Sequence, residues 1–139
     1  MALRRDAKIE LLKRVPLFNG CSKGELRELA KSADELDIRE GTVLTREGRP
    51  GREFFVLIDG TARVTKGGKK VADLTAGDWF GEIALITNRP RTATVTATSP
   101  GDVLVITDRR FHSVVETMPS IALKVLATIG ERLPHDERS

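Results

Sequence analysis

The stretch "FGEIALITNRPRTATV", residues 80 to 95, sets a carboxylate, Glu82, directly after a glycine, follows it with an apolar run, and closes on Arg91 and Thr92 ahead of a strand-like alternation. These residue types can assemble an anion site. Gly81 lets the backbone come close to a ligand, and a short helix begun at Glu82 would offer the backbone N–H groups of Ile83, Ala84 and Leu85 to a phosphate. Arg91 adds a planar fork that pairs with two phosphate oxygens at once. Glu82 is an acceptor only, so its natural partner is a hydroxyl donor on another part of the ligand. On the pair alone a second reading stays open, because a Glu and an Arg at this spacing also make an ordinary surface ion pair worth ~0 to 1 kcal/mol. Arg89 reads as a solvated loop residue.

The rest of the chain removes the commonest enzyme classes. Its 139 residues contain two histidines, His112 on an expected helix and His135 in the polar tail, too few for a jelly-roll metalloenzyme. It has no Walker A loop, no G-x-G-x-x-G and no G-x-S-x-G. No catalytic residue and no metal ligand is therefore assigned. Cys21 is the only cysteine, which excludes an intrachain disulfide and leaves two roles, a small buried residue or a reactive thiol. Net charge is +3, with Lys and Arg mixed among Asp and Glu, so the concentrated basic element of a nucleic-acid binder is missing. No apolar run approaches the ~20 residues that span a bilayer, and no signal peptide is recognisable, so the expected location is cytoplasmic.

A single domain over 1–139 is expected, built to position that stretch. Apolar residues fall at helical spacing from Asp6 to Val15 and from Lys23 to Ala33, and Ser22 with Glu25 forms a capping box at the second start. Residues 1–35 are thus leading helices. Over 36–107 the period drops to two and turn residues recur (Gly41, Pro50-Gly51, Asp59-Gly60, Gly67-Gly68, Gly77, Pro100-Gly101), which predicts the short strands of an all-β sandwich, barrel or roll. The stretch 80–95 interrupts that roll with one helical turn and a loop. Helical spacing returns over 108–133, where Asp108 is placed to cap one helix, Pro119 to end it and Ser120 to cap the next.

The longer stretch "GDWFGEIALITNRPRTATVTA", residues 77 to 97, closely resembles the phosphate-binding cassette of cyclic nucleotide-binding domains, as found in catabolite activator proteins, cyclic-nucleotide-dependent kinases and cyclic nucleotide-gated channels. "VPLFNGCSKGELRELA", "EGTVLTREGRPGREFFVLIDGTARV" and "DRRFHSVVETMPSIALKVLATIGERL" resemble that family's leading helices, roll and trailing helices, so the likeness covers nearly the whole chain. The resemblance implies a mainly β fold, an eight-stranded jelly-roll-like β-roll with flanking helices. It also implies a non-enzymatic sensor that signals through movement of its C-terminal helices. Arg91 would hold the cyclic phosphate with the Thr92 hydroxyl and the backbone around Ala84 and Ala93, while Glu82, with Gly81 and Ile83, would take the ribose. Val64, Val71 and Leu74 would wall the sugar and base, or would be plain roll core.

Arg132 falls where activator proteins carry a base-contacting arginine, and it reads equally as a solvated helix-end cation. Pro134 breaks the helix where longer relatives continue it. Thr92 accompanies cGMP in the kinases, but channels and bacterial members with Ser or Thr there often take cAMP, and cAMP is preferred over cGMP here. No cofactor is expected beyond that ligand. The other partners implied are an effector protein, or an effector domain outside this chain, and at most a weak homodimer through the stripe Ile121, Val125, Ile129 and Leu133. Direct nucleic-acid binding and membrane insertion are not expected. The alternative is a degenerate roll that has lost its ligand and serves as a protein-interaction module.

Overall fold

In a computed structural model the backbone is described for residues 3–132 and the side chains for 3–128. The chain divides into two compact units, Ala33–Arg109 and a helical unit made of the segments on either side.

In the helical unit, α1 (Arg5–Lys13) and α2 (Lys23–Lys31) are joined through a 3-10 turn at Pro16–Phe18. Pro16 starts that turn, where its missing N–H leaves no bond unmade. Ile9, Leu12 and Val15 are buried, as are Leu26, Leu29 and Ala30 of α2, at the positions where helical spacing predicts them, and Leu17 and Phe18 of the connecting turn are buried too. Two further helices, α3 (Asp108–Thr117) and α4 (Pro119–Arg132), follow the strands. Phe111 of α3 packs its ring 6.3 Å from that of Phe18, and Ile121 and Val125 of α4 are buried. Ile129 and Leu133, which would complete the α4 stripe, lie outside the described side chains.

The capping box at α2 is present in both halves. Glu25 N–H donates to Ser22 Oγ at 3.2 Å, and Ser22 N–H donates to Glu25 Oε1 at 2.7 Å. The Glu25 carboxylate, only 3% exposed, also accepts from the Ser120 hydroxyl and the Lys124 ammonium of α4. Burial alone would raise its pKa. The Lys124, Ser120 and Ser22 bonds outweigh burial and hold the carboxyl down at about 2. Ser120 therefore does not cap α4 as the sequence suggests. The helix starts one residue earlier, at Pro119, and the Ser120 hydroxyl is spent on Glu25. Half-buried Cys21 sits near the same carboxylate, and burial followed by Glu25 pushes its thiol up to about 11, which leaves it protonated and unreactive at neutral pH.

The other unit is two four-stranded antiparallel sheets, ordered β1-β8-β3-β6 and β2-β7-β4-β5. The strands are β1 (Asp34–Ile38), β2 (Val43–Thr45), β3 (Glu53–Asp59), β4 (Ala62–Lys66), β5 (Lys69–Leu74), β6 (Trp79–Phe80), β7 (Thr94–Ala97) and β8 (Gly101–Thr107). This is the eight-stranded roll expected. Between the sheets lie Ile38, Phe55, Leu57, Ala62, Val95, Ala97, Val103 and Val105, with Phe80 stacked on Phe55 at 5.0 Å. β3 and β8 are central strands whose alternate residues, Phe54, Val56, Leu104 and Ile106, are buried as well, so they read as continuous apolar runs. The roll begins at Asp34 rather than Leu36. β1 buries only Ile38, so its sequence lacks the alternation that marks the other strands, yet it pairs with β8 along its whole length.

The Glu25 cluster yields a prediction about acid stability. Because the folded pKa lies below the ordinary value of 4.5, its contribution is complete above about pH 4.5 and is lost as pH falls toward 2. Glu25→Gln should cost ~1.5 to 3 kcal/mol at neutral pH in denaturant melts. The gap from the parent chain should close between those two pH values.

Candidate functional site

The cassette is built around a turn that only glycine suits. Gly81 follows β6 with φ 82°, in the left-handed region, and caps a 3-10 turn at Glu82–Leu85. The turn packs against β3, with Leu85 fully buried and Ala84 8% exposed as its anchors. This arrangement turns Ile83 outward, 41% exposed, and leaves Glu82 part-exposed. The Ala84 N–H, read from sequence as a free donor, closes the turn by donating to the Gly81 carbonyl at 3.1 Å.

Arg91 is the electrostatic centre. Its side chain is 9% exposed, and Nη2 donates to the main-chain carbonyl of Glu53 at 2.7 Å, with the Glu53 carboxylate 3.9 Å away. Burial pulls the guanidinium pKa below its ordinary value, and the Glu53 charge opposes that shift. Space for the group exists because two neighbours lack a side chain. A Cβ on Gly51 would fall 2.0 Å from Arg91 Nε, and one on Gly81 would fall 2.7 Å from Nη1. Backbone bonds fix the arginine's own position: Arg91 N–H donates to the Arg49 carbonyl and Gly48 N–H to the Arg91 carbonyl, both at 2.8 Å, beside a bridge between Pro50 and Pro90.

Beyond Arg91 the chain is tied to β2. The Thr45 hydroxyl donates to the Ala93 carbonyl at 3.0 Å and accepts from Val95 N–H at 3.1 Å, next to the β2 irregularity at Val43/Thr45. Thr92 is exposed.

Arg91 and Gly81 are thus in direct juxtaposition, with Glu82 next in the chain. Val64 and Leu74 pack against the roll core, whereas Val71 is 56% exposed. The Arg132 side chain lies outside the described residues. Sequence reasoning missed Glu53 and Gly51. The "RPGRE" run reads only as a turn, and nothing local ties it to an arginine 38 residues further on.

A small recess of about 210 Å³ opens on one side of Arg91, lined among others by Thr45, Arg46, Arg49, Pro50 and Glu53. Among the described residues, no helix is long and apolar enough to cross a membrane.

Residues 35–118 match the family model described as the cyclic nucleotide-binding domain. The cAMP-dependent protein kinase regulatory subunit of Mycosarcoma maydis is 37% identical over 130 residues, covering 85% of this chain and 24% of that protein. This chain therefore spans about a quarter of that relative's length. Among solved structures, the N-terminal domain of a transcriptional regulator from Streptomyces coelicolor A3(2) superposes with a TM-score of 0.83 at 26% identity, covering 93% of this chain and 97% of that one. A structure described as cAMP bound PfPKA-R (141-441) gives a TM-score of 0.68 at 28% identity, covering 96% of this chain and 48% of that one. With its roll, its cassette and the arginine beneath them accounted for, this chain belongs to the cyclic nucleotide-binding domain family.

Proposed function

We propose that the chain is a regulatory module that binds a cyclic nucleotide, cAMP in preference to cGMP, with Arg91 taking the cyclic phosphate. The observation that carries this reading is the Arg91 guanidinium, 9% exposed and bonded to a carbonyl, which leaves most of its positive charge unmatched beside Gly81. A cation held out of water in that way gains more from an anion than a solvated one does. cAMP is favoured because one structural neighbour is described as cAMP-bound and the first relative is a cAMP-dependent kinase regulatory subunit.

Thr92 and the backbone N–H side of Ala93 join Arg91 on the phosphate, and Ala84 does so if its bond to Gly81 is shared. Glu82 accepts from the ribose 2'-OH, with Gly81 and Ile83 beside it. Val64, Val71, Leu74 and Arg132 remain the residues assigned to the sugar and base, and Val71, being exposed, has surface left for a ligand to cover. No bond is made or broken, so the output is a change of conformation, limited in size by the ligand's differential affinity for the two arrangements. Two hydrogen bonds within the roll support a route from site to output. Glu53 accepts from Arg91, and the preceding residue, Arg52, accepts from Asp108 N–H at 2.7 Å, where α3 begins. Movement of the Arg52–Glu53 strand end would reach the C-terminal helices, and through them an effector on another chain or domain in the cytoplasm.

Calorimetric titration of two variants tests the roles. Arg91→Ala should weaken cAMP binding by ~3 to 5 kcal/mol, the penalty for removing one partner of a desolvated charge pair. An unchanged affinity in a variant that still melts cooperatively would remove Arg91 from the site. Glu82→Gln should cost ~1.5 to 3 kcal/mol, the loss of a charge-assisted hydrogen bond. If 2'-deoxy-cAMP bound the parent chain as well as cAMP does, the role given to Glu82 would be wrong.

A further inference from the structure

The recess beside Arg91 is not part of the cassette. Its lining comes from β2, the loop 46–52 and the start of β3, and of the residues assigned to the cyclic nucleotide only Arg91 reaches it. Three arginines, Arg46, Arg49 and Arg91, line it together with one acidic residue, Glu53. Arg46 and Arg49 are exposed, and neither side chain forms an ion pair or hydrogen bond among the described residues. Glu53 is partly committed, since Oε1 accepts from Arg52 N–H at 3.1 Å and lies 3.9 Å from Arg91. The recess therefore carries about two positive charges that nothing among the described residues balances.

We propose that this recess is a second oxyanion site, which takes a phosphate group and opposes cyclic nucleotide binding by drawing on the charge of Arg91. A phosphate dianion matches the unbalanced charge, whereas a single carboxylate leaves half of it unmet. Two exposed forks can each present paired N–H donors to phosphate oxygens. The volume of about 210 Å³ admits more than one phosphoryl group. The recess is held open by backbone, not by the arginine side chains. Arg49 contributes its carbonyl to Arg91 N–H, and the Pro50–Pro90 bridge fixes the loop. Two anions drawing on one guanidinium repel each other, so each weakens the other by the same factor. That antagonism rests on Arg91 holding the cyclic phosphate. The existence of the recess site does not.

The test is titration of this chain with inorganic pyrophosphate at constant ionic strength, for the parent and for Arg46→Gln/Arg49→Gln. The double variant keeps the backbone bonds and touches no residue assigned to the cyclic nucleotide. Saturable binding by the parent, weakened tenfold or more in the variant, is expected. Pyrophosphate should also raise the apparent Kd for cAMP severalfold in the parent and leave it unmoved in the variant. Absent binding, or binding equal in both proteins, would overturn the site. If a hexaglutamate peptide bound with the same arginine dependence and pyrophosphate did not, the phosphate assignment would be wrong. Arginine-dependent pyrophosphate binding with no effect on cAMP affinity would overturn the antagonism alone. A chain that failed to bind cAMP but bound pyrophosphate in this manner would contradict the proposed function and leave the recess site standing.

Discussion

A guanidinium taken out of water must be given something to hold, and Arg91 is given a main-chain carbonyl. The Glu53 oxygen at 2.7 Å satisfies one donor and fixes the orientation of the group, but a carbonyl dipole does not neutralise a full charge. The Glu53 carboxylate could do so, yet it stands 3.9 Å away and is 44% exposed, so water screens much of its effect. The result is a cation whose position is settled before any ligand arrives. Gly51 and Gly81 leave it room, and the loop 46–51 holds its backbone from both sides. Pre-positioning of this kind lowers the entropy lost on binding.

The helical unit solves the same problem with the opposite outcome. Glu25 is as deeply buried as any charged group described, but it accepts from Ser22, Ser120 and Lys124 together. Its charge is fully met, its pKa sits at about 2, and it has nothing left to offer a ligand. Buried charge in this chain is thus met in two ways: completely at Glu25, where it joins α2 to α4, and incompletely at Arg91, which under the proposed function is left open to the cyclic phosphate.

Much of this was legible in the sequence because the signals are local. The Ser22–Glu25 capping box, the Gly67-Gly68 hairpin and the single helical turn after Gly81 all follow from residues within a few positions of one another. β3 and β8 were marked by short apolar-rich runs between turn residues, although both of their faces are buried. β1 did not, because one buried residue in five, Ile38, makes no pattern, and its pairing with β8 is decided by the partner strand. Ser120 carries every local mark of a helix cap and was claimed instead by a carboxylate 95 residues away. The support of Arg91 was hidden for the same reason. The Glu53 contribution is a backbone carbonyl, which no side-chain pattern can announce, and Gly51 matters through the volume it leaves empty. Local chemistry could name the arginine, but only the fold could say what holds it.

The affinity of the unmodified chain for cyclic against linear nucleotides tests the role of Arg91 most directly. Calorimetric titration with cAMP, cGMP and the 5'-monophosphates should give micromolar or tighter binding for a cyclic form, cAMP ahead of cGMP, and far weaker binding for the linear ones. Equal, millimolar binding of all of them would mean that Arg91 and its cassette hold no cyclic phosphate.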